Sequence, residues 1–238
     1  MNTLVHTNDL TIHDITGGKV ERLAAMLDLM RALFPQYAHN LPRVRQRAYQ
    51  APDADPRCIN HQWLAEVDGN AAGLISFKYV HAYNLGLLIY LAVKPEYRLP
   101  FDDVPCRLSE ILLISALDQL QIDAQWSGRR GPVHLAAEVE YPELVERYKH
   151  YGFVELPVEY YEPPTSYEPG AFRPEMEAGI DAYRPMYLGV FPARGVAIDP
   201  ADGDTLRSVL LAFYVEHYGL PEDHWAIQRA LQTFCQES

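Results

Sequence analysis

The stretch LGLLIYLAV, residues 85–93, constrains this chain more than any other. It is a long, nearly continuous apolar run without a charged side chain. A strand with one wet face alternates apolar and polar residues, so such a run predicts a central strand covered on both faces.

The segments around it supply neighbours. Thr11–Ile15 alternates and predicts an opening strand, ended by Gly17-Gly18. Val20, Leu23, Leu27, Met30 and Phe34 recur at helical spacing until Pro35, and a second, more basic helix is predicted over Leu41–Tyr49 before the Pro52–Pro56 break. His61–Val67 and Ala72–Val80, separated by Asp68-Gly69-Asn70, predict a hairpin. Beyond the central run come a helix over Ile111–Leu120 and a strand over Pro132–Val139. Period two sets Val133, Leu135, Ala137 and Val139 on one face of that strand, and His134, Ala136 and Glu138 on the other. A helix over Tyr141–Tyr151 closes at Gly152, followed by extended chain over Phe153–Tyr161. Residues 162–184, rich in Pro, Tyr and Glu, read as a long loop. Pro185–Phe191 reads as a closing strand. Two further helices, Thr205–Tyr218 and His224–Phe234, are separated by Gly219 and Pro221.

Composition narrows the function. The 238 residues are 48% hydrophobic, enough for a sizeable core. A net charge of -12 disfavours nucleic acid and anionic lipid as partners and favours cationic ones. Cys58, Cys106 and Cys235 are far apart and form no CxxC pair, which fits a reducing cytoplasm. The opening MNTLVHTNDLTIHD lacks the pattern of a signal peptide, and no apolar stretch is long enough for a bilayer. The nine histidines include no HxH or HExxH, so no metal site is expected, and no serine sits in a GxSxG elbow.

One segment poses a chemical question. In YLAVKPEYRLPFDDVPCRLSEILL, residues 90–113, a strand runs into a turn bearing Arg98 and then into an apolar helix, the usual way to aim backbone N–H groups at a phosphate. Yet the turn holds no glycine and carries Asp102 and Asp103.

Two stretches and the order of elements supply a context. LAVKPEYR at 91–98 and LVERYKHYGFVEL at 144–156 resemble the central strand and the later helix–strand unit of the GNAT superfamily of acyl-CoA-dependent N-acyltransferases, the likeness covering roughly residues 9–192. The resemblance implies an α/β (α+β) fold with a mixed, mostly antiparallel central sheet flanked by helices. Two extra C-terminal helices would form an extension over 198–238 beside a domain over 1–197. It also implies acetyl-CoA or another acyl-CoA as co-substrate and a small-molecule or peptide amine as acceptor.

In that family an Arg or Gln is followed by two glycines. Here Arg98 is followed by Leu99 and Pro100, and counting back from Leu112-Leu113 sets the glycine positions near Arg107 and Ser109. The loop is longer, with Arg107 able to supply a charge-assisted hydrogen bond, Ser109 small enough for close approach, and Pro105 lacking a donor. The resemblance casts the backbone of Leu91 and Val93 as the pairing edge for the pantetheine arm, with the Val93 N–H as oxyanion donor. Tyr148 would protonate the departing thiolate. Glu138 and Glu140, at the end of their strand, are the carboxylates that could remove the amine proton.

Other residues stay open between readings. His134 reads as a hydrogen-bonded core histidine. Glu159, Tyr160, Tyr161, Glu162, Tyr167 and Glu168 are a solvated loop or a cradle for an ammonium. Arg43, Arg45 and Arg47 are a solvated helix face or a shadow over the cofactor phosphates. One alternative stands beside catalysis, a GNAT-like binding module that has lost CoA; a homodimer whose C-terminal helices cover a neighbouring groove is compatible with either reading.

Overall fold

The computed structural model describes residues 3–7, 10–101, 104–168, 171–174 and 179–237; Asp102 and Asp103 lie outside them. The chain divides into two units, the first made of Met1–Tyr79 with Leu88–Asp123 and the second of Val80–Leu87 with Ala124–Ser238. The fold is mixed α/β with a mostly antiparallel sheet.

In the first unit, β1 (Thr3–Thr7) and β2 (Leu10–Asp14) precede α1 (Leu23–Leu33) and α2 (Leu41–Tyr49). β3 (Cys58–Val67), β4 (Asn70–Val80) and β5 (Leu85–Val93) complete a path in the order β1-β2-β3-β4-β5. β2 pairs antiparallel with β3 from Leu10↔Val67 to Asp14↔Trp63. The β3–β4 turn is as predicted: Asp68 and Gly69 take φ of 51° and 74°, the hand that matches strand twist. Leu23, Met26, Leu27 and Met30 of α1 and Val44 and Ala48 of α2 bury themselves against Leu64 of β3 and Leu74 of β4. The helical period seen in the sequence is therefore the core face of this unit.

The segment after β5 differs from a phosphate-type turn. Pro95–Tyr97 forms one 3₁₀ turn, and then β6 (Pro100–Phe101) and β7 (Val104–Arg107) make a small antiparallel ribbon, with Pro100 opposite Arg107. α3 (Leu108–Trp126) follows at once, longer at both ends than its apolar centre predicted.

In the second unit, β8 (Leu135–Val139) and α4 (Pro142–Lys149) lead to β9 (Val154–Glu155) and β10 (Tyr160–Glu162). The region expected to be an aperiodic loop contains a hairpin instead, β11 (Thr165–Glu168) with β12 (Ala171–Pro174). A ribbon held by its backbone ladder needs no apolar period, so the pattern gave no sign of it. β13 (Arg184–Phe191) then pairs antiparallel with β8, β9 and β10.

α5 (Gly203–Leu211) starts on an Asp202 cap that accepts from the Asp204 and Thr205 amides. It does not run on as one α-helix. Ala212–His217 widens into a π-helical turn, marked by Tyr218 N–H donating to the Phe213 carbonyl at 2.9 Å. α6 (Trp225–Glu237) ends the chain.

Two glycines shape this unit. Gly152, at φ 86°, closes α4: its N–H reaches the Lys149 carbonyl, and the Phe153 N–H reaches that of Tyr148. Gly189 of β13 lies so close to its neighbours that a Cβ there would sit 2.3 Å from Phe153 Cζ and 2.5 Å from the Val154 carbonyl oxygen.

Candidate active site

The chemistry gathers around Glu138, the fourth residue of β8. Alternation buries Leu135, Ala137 and Val139 on one face and sends Glu138 to the other. Glu138 lies opposite Leu188 of β13, and β10 runs along the far side of β13 with Tyr160 opposite Met186. Buried Tyr160 donates its O–H to Glu138 Oε1. The π-turn brings Tyr218 in as the second donor, its O–H 3.0 and 2.9 Å from the two Glu138 oxygens. Tyr214 packs on the Tyr160 ring at 4.9 Å and donates to the Tyr161 carbonyl at 3.0 Å.

Two more carboxylates lie nearby. Arg184, opposite Glu162 across the β10–β13 pair, donates from Nε to Glu162 Oε2 at 2.8 Å and forms an ion pair with Glu140 at 3.0 Å. The guanidinium thus engages Glu140 and Glu162, while Glu138 is met by neutral hydroxyls. Burial raises the Glu138 pKa, Glu162 adds to the rise, and the tyrosine donors and Arg184 oppose it incompletely; the result is a carboxyl pushed up to about 8. Such a group exchanges a proton near neutral pH.

Tyr148 sits on α4 with its ring buried against Phe191 at 5.3 Å and Phe153 at 6.0 Å. Burial holds its phenol above the ordinary range, so it is an O–H at neutral pH. His134 is the core histidine the sequence suggested. Its Nδ1 accepts the Ala193 N–H at 3.0 Å, and burial lowers its pKa.

In the first unit, Val93 is buried at the end of β5 and Leu91 is half-buried. Arg98 is turned back on this strand end, its Nε donating to the Val93 carbonyl at 3.0 Å. Arg107 is exposed at the base of the β6–β7 ribbon, and Ser109 lies in the first turn of α3. Arg98, Arg107 and Ser109 are therefore grouped around one ribbon base and one helix start.

The structure joins Glu138, Glu140, Tyr160 and Glu162, which the sequence presented as two unrelated sets. Reading the sequence missed Arg184 and Tyr218. Tyr218 precedes the Gly219 break, and nothing in a 3.6-residue period announces the wider turn that aims it at β8. Among the described residues no group of three or more His, Cys, Asp and Glu could hold a metal, and no helix is long and apolar enough to cross a membrane.

No protein-family model and no curated protein matches the sequence. Solved structures do. A GNAT-family acetyltransferase from Bacteroides thetaiotaomicron is 18% identical with a TM-score of 0.48, the match covering 88% of this chain and 99% of that one. A GNAT-family acetyltransferase from Elizabethkingia anophelis with acetyl-CoA bound is 14% identical, TM-score 0.44, covering 78% and 99%. An acetyltransferase from Salmonella typhimurium that modifies the N-terminal serine of ribosomal protein L7/L12 is 12% identical, TM-score 0.47, covering 83% and 100%.

Proposed function

We propose that the protein is an acyl-CoA-dependent N-acyltransferase that moves an acetyl group from acetyl-CoA to a primary amine by direct attack. The observation that carries this reading is Glu138: a carboxyl held by the Tyr160 and Tyr218 hydroxyls while Arg184 engages its neighbours Glu140 and Glu162, with burial raising its pKa toward the neutral range. A general base works best when its pKa is close to the operating pH.

The steps balance as follows. The amine nitrogen attacks the thioester carbonyl carbon, and the oxygen takes up negative charge, which a backbone N–H donor would stabilise. Glu138 accepts the proton lost by the amine, with Glu140 tied to Arg184 and less available for that task. The C–S bond breaks, the Tyr148 O–H gives its proton to the thiolate, and the amide and free CoA are the products. Arg98, Arg107 and Ser109, beside the start of α3, are the groups for the pyrophosphate, where a helix N-terminus favours anions. CoA itself would bring the thioester and the thiol leaving group.

The test is calorimetric titration of acetyl-CoA, followed by release of free CoA thiol against a panel of primary amines over pH 6–10. Glu138→Gln should bind acetyl-CoA as the parent does and lose about 10²–10⁴ in kcat. The parent's rate should climb through pH 8. Absence of acetyl-CoA binding at millimolar concentration would sink the proposal.

A second reading has its own observation. A β-ribbon replaces the glycine turn, and Arg98 Nε is engaged by the Val93 carbonyl. A non-catalytic binding module with the same fold would show that replacement and would not respond to acetyl-CoA.

A further inference from the structure

Tyr218 meets two carboxyls at once. Its hydroxyl lies 3.0 and 2.9 Å from the two oxygens of Glu138 and 3.4 Å from Glu162 Oε1. All three residues belong to the second unit. The arrangement is held from both sides. Arg184 stands opposite Glu162 and donates to Glu162 Oε2 at 2.8 Å, leaving Oε1 as the oxygen that faces Tyr218. The wide turn before Tyr218 is tied to β10 by Tyr214. Its O–H donates to the Tyr161 carbonyl at 3.0 Å, and its oxygen accepts the Tyr161 N–H at 3.3 Å.

The two tyrosines on Glu138 are not equivalent. Tyr160, 2% exposed, donates to Glu138 Oε1 from inside the core. Tyr218 is buried too, yet its hydroxyl continues to Glu162, whose side chain is 21% exposed. A phenol hydroxyl has one proton to give and lone pairs that accept another. It donates to Glu138 while that carboxyl is charged. Once Glu138 holds a proton, the Glu138 O–H donates to Tyr218, and the phenol proton turns to Glu162.

We propose that Tyr218 is a proton relay that empties Glu138 into Glu162 and so returns the base to its charged form after each turnover. The amine as source of the proton rests on the acyltransferase reading; the hydrogen-bonded chain does not. The step balances. The Glu138 O–H bond breaks as its proton joins the Tyr218 oxygen. The Tyr218 O–H bond breaks as that proton joins Glu162 Oε1, and Glu162 passes it to water. Glu138 ends charged, and Tyr218 ends as the neutral hydroxyl it was. Arg184 and Glu140, paired at 3.0 Å, are the other charges beside this path. Tyr218 acts through Glu138 and touches no reacting atom of the acyl group, which makes it a positioning residue.

Two measurements on the full chain test the relay. The first needs no substrate. In infrared difference spectra between pH 6 and pH 10, the carboxyl C=O band missing from Glu138→Gln belongs to Glu138. It should move to higher wavenumber in Tyr218→Phe, which removes one hydrogen bond from the carboxyl and keeps the ring. The second is turnover over a range of buffer concentrations. Tyr218→Phe and Glu162→Gln should each lower kcat roughly 10²-fold with the KM for acetyl-CoA held. Their double variant should be no slower than the slower single one, because both cut the same path. The loss should shrink as buffer concentration rises, since a small buffer base then empties Glu138 directly. Should Tyr218→Phe fail to fold, Glu162→Gln carries the buffer test by itself. An unmoved Glu138 band, losses that multiply in the double variant, or losses that buffer leaves unchanged would overturn the relay. A parent that binds no acetyl-CoA removes the acyltransferase reading, and with it the amine as proton source, whereas a moved band still upholds the chain.

Discussion

His61 should make the first unit lose stability as pH rises from 7 to 10. The ring is 5% exposed, stacked on Phe77 at 4.8 Å, with Nε2 2.9 Å from Asp123 and Nδ1 3.8 Å from Asp14. Burial pulls its pKa down, but the two carboxylates more than reverse this and raise it from 6.5 to about 9. The folded state therefore binds a proton that the unfolded state releases near 6.5. This stabilisation is complete below the unfolded value and fades as pH passes the folded one. With these two values it is about 2.5 kcal/mol at pH 7 and close to nothing at pH 10. Lys78 and Glu138 titrate in the same interval, so the quantity to measure is the stability gap between the parent and His61→Gln, from which their terms cancel. Urea unfolding followed by tryptophan fluorescence suits the purpose, since buried Trp63 lies 6.0 Å from the His61 ring. The gap should narrow by about 2.5 kcal/mol between pH 7 and pH 10. A gap that stayed constant, or widened with pH, would refute a charged His61 between two carboxylates.

Gly189→Ala should destabilise the second unit by at least about 1–3 kcal/mol, because the new methyl would meet the Val154 carbonyl as well as the Phe153 ring; a unchanged urea midpoint would mean that β9 yields freely. Tyr148→Phe should keep the packing against Phe191 and Phe153 and change stability by less than about 1 kcal/mol. Turnover should fall roughly 10²-fold with the KM for acetyl-CoA held, and undiminished turnover would leave Tyr148 with a packing role only.

Most of the framework was legible because it is periodic. α1 and α2 end where Pro35 and the residues before Pro52 said they would, and β3–β4 is the hairpin announced by Asp68-Gly69. The losses occur where backbone, not side-chain burial, dictates structure. The β6–β7 and β11–β12 ribbons have short ladders with no apolar period, and the π-turn at Ala212–His217 is a change of backbone pitch inside an apolar run. The basic helix face is divided for a different reason: Arg43 and Arg47 are half-buried, whereas Arg45 is exposed.

The site was legible as a list of side chains and not as an assignment of roles. Glu138, Glu140 and Glu162 are chemically alike in the sequence, and only their partners separate them. Arg184 stands directly opposite Glu162 and also reaches Glu140, so those two carboxylates share one guanidinium. Glu138, one residue out of phase with its buried neighbours on β8, meets the Tyr160 and Tyr218 hydroxyls instead. A hydroxyl can hydrogen-bond a carboxyl in either protonation state, whereas a guanidinium favours the charged form strongly. One arginine therefore divides three equivalent acids into two that it engages and one that faces hydroxyls, and it can do so only after β10, β13 and the wide turn before Tyr218 have brought residues between 138 and 218 together beside β8.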